Sequence, residues 1–468
     1  MGIPFGMRGL FGLLLFGSLL NLQAAESNFW PLLVEREDSP VGRPDQTGSL
    51  GPLFSLTEQP GERILSIRPL WTTFADPDTG HRSSHLLYPF ANWFDRETTK
   101  SGHVLNIIQY RRNHANGGTF FQFFPFVFSD QTGDPETSYF ALWPLAGELK
   151  DRFWRDRIQF AFWPLWVRTE KGDETRLHVP WPFIQTLRGP HSRGFGLWPL
   201  YGRFERDNDY VHTWALWPLH YHYRDDLDKE VPYVRFGVLP FYHRETAAGL
   251  RSETFVWPFF GYTREWEPRV LYAENRYFWP FLVQGRGEER HVNRWMPVYT
   301  HETRPGHEKN WYLWPFLKTV NSTAEGFREE RTSLLYFLYR DKRQHFADAT
   351  TRLATLWPLA GYWDDGRGRR QLQVLDPFTA FFPSNRKVKE NWSPLFALYR
   401  YDEREDNGRH SLLWDLLVFE KDETGPRALY LGPLFEWVQG SHWDVLKGLV
   451  GSRPEDGSGG LHFFWRNQ

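Results

Sequence analysis

"IQFAFWPLWVRTEKGDETRLHVPWPF", residues 158–183, has two apolar arms around a charged centre at Lys171, Gly172 and Asp173, and reads as a β-hairpin. Each arm carries Trp-Pro in its most apolar part, at Trp163 and Pro164 and again at Trp181 and Pro182. Proline has no N–H to give to a strand ladder, so within a strand it marks an edge, a bulge or a bend. The recurrence of the dipeptide is therefore the central clue.

It recurs along the chain as Trp143 and Pro144, Trp198 and Pro199, Trp217 and Pro218, Trp257 and Pro258, Trp279 and Pro280, Trp314 and Pro315, and Trp357 and Pro358. Other residues precede Pro69, Pro89, Pro125, Pro240, Pro297, Pro377, Pro394 and Pro433, and in every case the next residue is Leu, Phe or Val. Copies without proline fill the gaps: NIIQY near Ile108, LLYFLY near Tyr336 and LLWDLLV around Asp415. The spacing is roughly 20 residues and the copies number about 22, the mark of an internal repeat. Between motifs the chain turns polar, with turn residues such as Ala248-Gly249, Pro305-Gly306, Asp365-Gly366 and Asn407-Gly408.

Composition agrees with a β array. Aromatic residues make up 18% of the chain, and 33 Pro with 39 Gly leave little room for long helices. The expected fold is all-β: a large antiparallel up-and-down array of about 22 hairpin-linked units, closed or strongly curved, with a Trp-Pro-Leu/Phe belt. Reading side chains by parity from Pro164 puts Phe160, Phe162 and Trp166 on one face and Trp163 with Leu165 on the other. Both faces are apolar near the motif, so the belt is expected to be buried. Small residues near it, among them Ala141, Gly147, Gly196, Gly202, Gly237, Gly261 and Gly361, would leave room for the motif indoles. Two paths fit the prolines: the strand bends and continues, or the chain reverses at each Trp-Pro. The first is preferred, because it gives one strand and one turn per repeat.

The first 24 residues, MGIPFGMRGLFGLLLFGSLLNLQA, have an early cation at Arg8, an apolar run and a small-residue end. That is the layout of a cleavable secretory signal. The expected organisation is a signal peptide over 1–24, the repeat domain over 25–440, and a terminal hairpin of the same domain over 441–468. With no cysteine in the chain, an N-terminal lipid anchor and a disulfide framework are excluded. A periplasmic or outer-membrane-associated location follows as the expectation. The formal net charge of −2 disfavours nucleic acid as a partner.

The segment ILSIRPLWTTFADPDTGHRSSHLLYPFANWFDRET, residues 64–98, and the later LWPL and FWPF copies resemble uncharacterised exported bacterial proteins built from R-P-L-aromatic and L-aromatic-P-L/F repeats. The resemblance spans nearly the whole chain after residue 24. It implies exported repeat architecture and no particular activity.

Chemical motifs are sparse. No glycine-rich phosphate loop, nucleophile elbow or zinc-protease helix occurs. HRSSH places His81 and His85 in a turn and strand context, where solvated polar residues are the ordinary reading. In VHTWALWPLHYHYRDD, His212, His220 and His222 share parity, and His243 lies on the next unit, which makes them weak metal candidates. Their ordinary reading is aromatic-like filler near strand ends. Acids and arginines at tips such as REWEPR and RYDERED read as solvated ion pairs rather than a carboxylate pair for glycoside hydrolysis. No catalytic residue and no cofactor is assigned.

The leading reading is a non-catalytic exported cell-envelope β-repeat scaffold, with membrane lipid or another envelope protein as candidate partners. The alternative is an integral outer-membrane β-barrel, supported by apolar bands of about nine residues. A carbohydrate-active enzyme is the remote third.

Overall fold

Each Trp-Pro sits where the chain reverses. Strand Arg155–Ala161 ends at Phe162, and strand Trp166–Lys171 begins three residues after Trp163. Ala161 pairs with Trp166, and the Leu165 N–H donates to the Phe162 carbonyl at 2.8 Å. The preferred path, with strands running through the motif, is therefore replaced by the other one: each repeat of roughly 20 residues is two short strands with a Trp-Pro turn at one end and a charged tip at the other. The physical reason is the one that made the proline puzzling. Placed in the turn, it breaks no ladder hydrogen bond. The Trp163–Pro164 peptide is cis, as are its counterparts at Trp143, Trp181, Trp198, Trp217, Trp257, Trp279, Trp314 and Trp357.

The computed structural model describes residues 26–37, 39–455 and 458–463, with side chains through residue 452. The expected signal peptide over 1–24 lies outside the described residues. The described chain is all-β, with 45 strands, each paired antiparallel to a neighbour in the chain within its own unit. It divides into two compact units, one made of the segments up to Ile67 and from Leu398, the other running from Arg68 to Ala397. The end of the chain supplies the hairpin Val450–Glu455 with Ser458–Phe463.

In the larger unit the strands form one meander from Trp71–Ala75 to Arg369–Val374. Among the described residues no pairing joins its first strand to its last, so of the two expected forms, closed or strongly curved, the closed one is not formed. Tips turn where glycine permits positive φ, at Gly172 (58°), Gly249 (65°), Gly306 (66°) and Gly366 (68°). The tip read at Asn407 and Gly408 is shifted: those residues already belong to strand Asn407–Leu412, and the chain turns at Glu405. The repeat copies without proline keep the reversal by other means. Leu105-Asn106, Leu335-Tyr336 and Leu413-Trp414 each place two successive residues at positive φ, the geometry of a tight hairpin turn.

The repeat lapses at Pro377 and Pro394. Residues 375–398 form bends and two short helices, Arg386–Asn391 and Ser393–Phe396, the first capped by the Asn385 side chain and the second opened by Pro394. This segment packs on the unit's first strands. Trp392 Nε1 donates to the Tyr88 carbonyl at 2.9 Å, and Arg68 Nε donates to the Glu390 carbonyl at 2.6 Å.

Strand register defines one face of this sheet as its core. Phe128, Tyr139, Ala141, Leu149, Phe160 and Val167 form one buried cluster there, and Leu187, Phe204 and Trp214 another. Of the small residues expected to admit motif indoles, Gly196, Gly202 and Gly237 make room for strand rings instead, while Gly147, Gly261 and Gly361 face Ala141, the Glu253 carbonyl and the Asp376 carboxylate. A Cβ on Gly202 would lie 2.4 Å from the Trp214 indole, and one on Gly237 would lie 2.4 Å from the Tyr221 ring.

In the smaller unit, the first strand is held by a buried ionic cluster. Arg409, at 0% exposure, donates to Glu26 and to Glu420 (2.7 Å), and its other terminal nitrogen reaches Asp415 at 3.1 Å. Asn28 Nδ2 donates to the Asp415 carbonyl at 2.6 Å, and Arg43 pairs with Asp402. The RYDERED segment is thus partly interior, not a purely solvated tip: Asp402 is buried.

Candidate functional site: an apolar rim of Trp-Pro turns

Because every second turn of a meander falls at the same end of the sheet, the Trp-Pro turns of the larger unit line up along one rim. Backbone bonds tie them together. The Trp163 N–H donates to the Pro144 carbonyl, Trp181 to Pro164, Trp217 to Pro199, and Trp314 to Pro297, at 2.6–2.8 Å. Elsewhere the acceptor is the residue after the proline, as for Trp198 to Phe183 and Trp279 to Phe259.

The expected burial of the belt is overturned at this rim. Trp143, Trp163, Trp198 and Trp357 are half-buried, while Trp181, Trp217, Trp257, Trp279 and Trp314 are exposed. Residues flanking the motif turns stand out further: Phe162 is 67% exposed, Leu165 60%, Phe241 70% and Leu313 62%. Leu87, Leu105, Phe126, Leu145, Phe183, Leu200, Leu219, Phe281, Val298, Phe316 and Leu359 continue the line. A turn residue has no second sheet against it, so a motif that looks like core by composition becomes surface. The indoles lie side by side beneath these residues, with ring centroids 5.4 Å apart for Trp143 to Trp163 and for Trp163 to Trp181, and 6.2 Å for Trp198 to Trp217. Each contact of this kind contributes about 1 kcal/mol beyond buried area.

Directly opposed residues in an antiparallel pair share a face. One row on the core face can therefore be followed from Ala141 through Gly147, Phe160, Val167 and His178, and on strand by strand to Gln373. Its charged or imidazole members are His178, His243, Arg276, Arg294, Lys318 and Arg340, and it holds no carboxylate. Carboxylates enter one row further from the rim, at Glu245, Glu274 and Glu302. Arg276 is satisfied by neutral groups, Ser252, Thr254 and the carbonyls of Glu253 and Tyr262, while Arg294 bonds Glu302. His178, half-buried near Arg176 and Arg155, has its pKa pushed down to about 4, chiefly by desolvation.

The histidines considered as metal ligands are not brought to one face. The chain reversal at Pro218 breaks the parity on which they were grouped. His212 opposes Tyr223, and His222 opposes Thr213. His212 Nε2 bonds Asp225 at 2.6 Å, and His243 lies between the Tyr221 hydroxyl (2.7 Å) and Glu245 (3.1 Å). His220 and His222 pack edge-on to Phe236 on the other face. Among the described residues no group of three or more His, Asp or Glu side chains is arranged to hold a metal.

His81 and His85 also part company. His81 is exposed at a tip, but His85 is fully buried, contrary to its reading as a solvated residue. His85 Nδ1 lies 2.5 Å from Asn92 Oδ1, and Asn92 Nδ2 lies 2.9 Å from His103 Nε2. Burial holds the His85 pKa down to about 4, against the raising effect of the Asn92 bond.

A groove of about 650 Å³ opens near the tips, among Glu245, Glu265, Tyr272, Glu274, Arg276 and Arg290. Its carboxylates carry partners: Glu274 accepts from the Tyr272 hydroxyl at 2.7 Å and lies 3.8 Å from both Arg276 and Arg290. No protein-family model matches the chain, and no curated protein is similar to it.

Proposed function

We propose that the protein is a non-catalytic cell-envelope scaffold whose Trp-Pro rim lies against lipid. The observation that carries this reading is the unbroken line of exposed Leu, Phe, Val and Trp along one rim, opposite tips rich in charge. Contiguous apolar surface of this kind marks an interaction site. Lipid suits it better than a protein partner. Leu, Phe and Val interchange freely at the position after the proline, as a fluid phase permits and a shape-matched interface does not. Half-buried indoles behind the outermost residues match the preference of Trp for the boundary between apolar and polar layers. Placement in the envelope rests on the N-terminal sequence.

The barrel alternative draws less support. Strands of the larger unit run five to eight residues, apart from the four of Tyr139–Leu142. A membrane strand needs about 9–11. The apolar bands that suggested spanning strands are each divided by a chain reversal.

The test is flotation of the purified chain with phosphatidylcholine vesicles. Phe162→Ser, Leu165→Ser and Phe241→Ser each remove an exposed apolar group worth roughly 1–2 kcal/mol of transfer, so the triple variant should bind at least about a hundredfold more weakly with an unchanged thermal midpoint. Equal binding by the two proteins, or no binding by the unmodified one, would overturn the reading.

A further inference from the structure

Lys318, Ser333 and Arg340 stand directly opposite one another on three neighbouring strands, in the row nearest the rim. The Cα atoms of Lys318 and Arg340 are therefore about 10 Å apart, within reach of a single small anion held between two long side chains. Ser333 between them is buried. Lys318 Nζ lies 4.9 Å from the Trp311 ring centroid, and among the described residues it has no carboxylate or hydrogen-bond acceptor. Arg340 gives one nitrogen to the Ala380 carbonyl at 2.8 Å. The neighbouring acid is committed: Glu302 bonds Lys309 at 2.6 Å and also Arg294. Burial, followed by the nearby cations Lys309, Arg331 and Arg340, lowers the Lys318 pKa, with Glu302 acting in the opposite sense.

We propose that Lys318, Ser333 and Arg340 form a seat for a phosphoryl anion. An ammonium, a hydroxyl and a guanidinium are the donors that phosphate oxygens take. Their level in the sheet points to the source. Lys318 follows the exposed Phe316 by two residues and Arg340 follows the exposed Leu338 by two, which sets the seat about 7 Å behind the rim. Interfacial segments bury about 5–10 Å into the boundary between headgroups and acyl chains, so a rim in the acyl layer leaves the seat at phosphate level. This source rests on the rim reading, whereas the seat itself does not.

The experiment compares the unmodified chain, the Lys318→Gln and Arg340→Gln double variant, and a tip control, Lys171→Gln with Lys229→Gln. Each is floated with phosphatidylcholine vesicles and with vesicles containing phosphatidylglycerol, and titrated with inorganic phosphate by calorimetry. The expected result is a preference for anionic vesicles that falls roughly tenfold in the double variant and not in the tip control. The pair Lys318→Arg and Arg340→Lys should restore it, which separates charge from loss of fold. Phosphate binding without vesicle binding, lost in the double variant, would keep the seat and refute the rim. Vesicle binding and phosphate binding both unchanged in the double variant would overturn the seat while leaving the rim. No response to vesicles or to phosphate would overturn both.

Discussion

Acid should weaken the larger unit through His85. Its ring is fully buried, edge-on to Phe74, Tyr88 and Phe94, with Nδ1 bonded to Asn92 and Nε2 without a hydrogen-bond partner. Protonation would place a cation there, with Lys387 and His103 close enough to oppose it. The folded pKa is depressed to about 4, below the ordinary 6.5, so the unfolded chain binds the proton first. The neutral ring's stabilising contribution is complete above about pH 6.5 and is lost as pH falls toward 4, the sign expected for a group whose charged form the fold rejects. Between about pH 7.5 and pH 4.5 the loss amounts to about 2.5 kcal/mol. Carboxylates also titrate in this range, so the measured quantity is a difference. Urea midpoints at both pH values are compared for the unmodified chain and for His85→Gln, whose amide can still donate to Asn92. The variant should start lower and lose about 2.5 kcal/mol less on acidification. An identical pH-dependent loss in the two proteins would refute the reasoning.

Two stability predictions follow from packing. Arg409→Met should lower unfolding free energy by about 3–5 kcal/mol, since Glu26, Asp415 and Glu420 would lose their shared cation inside the fold, while Arg63→Met at an exposed pair should cost under about 0.5; chemical denaturation checks both. Gly202→Ala should cost about 1–3 kcal/mol because the new methyl meets the Trp214 indole, and less than half of that in a Trp214→Leu background, a coupling read from a double-mutant cycle.

The sequence made the periodic part of this structure legible and left the path of the chain open. Repetition of Trp-Pro, the glycine tips at Gly172 and Gly249, and the all-β class follow from local chemistry, and the structure has them in place. Whether the strand continues through Pro164 or turns back there is not a local property, since a unit of roughly 20 residues fits one strand with a turn or two short strands with two turns. That ambiguity carried the belt from surface to core, and it also placed His212 on a face with His220 and His222 from which the turn removes it. The ring neighbours of Gly202 and Gly237 come from adjacent strands, beyond the reach of a parity count within one strand. Asp402 looked like a tip charge because its partner Arg43 lies more than 350 residues away, and the Arg409 pairing with Glu26 is as remote in sequence. Lys318 and Arg340 are ordinary cations in mixed-charge segments until strand register sets them one strand either side of Ser333. A near-neutral total charge conceals such a row entirely.

The claim that the Trp-Pro rim meets lipid can be tested at one strand. The chain has no cysteine, so Leu165→Cys at the rim and Lys171→Cys at the tip of the hairpin that follows each give a single attachment point for an environment-sensitive fluorophore. On adding vesicles, the account predicts a blue shift and brighter emission from the label at position 165 and no change at position 171. Unchanged emission at 165 with vesicles in excess, or equal shifts at the two positions, would contradict it.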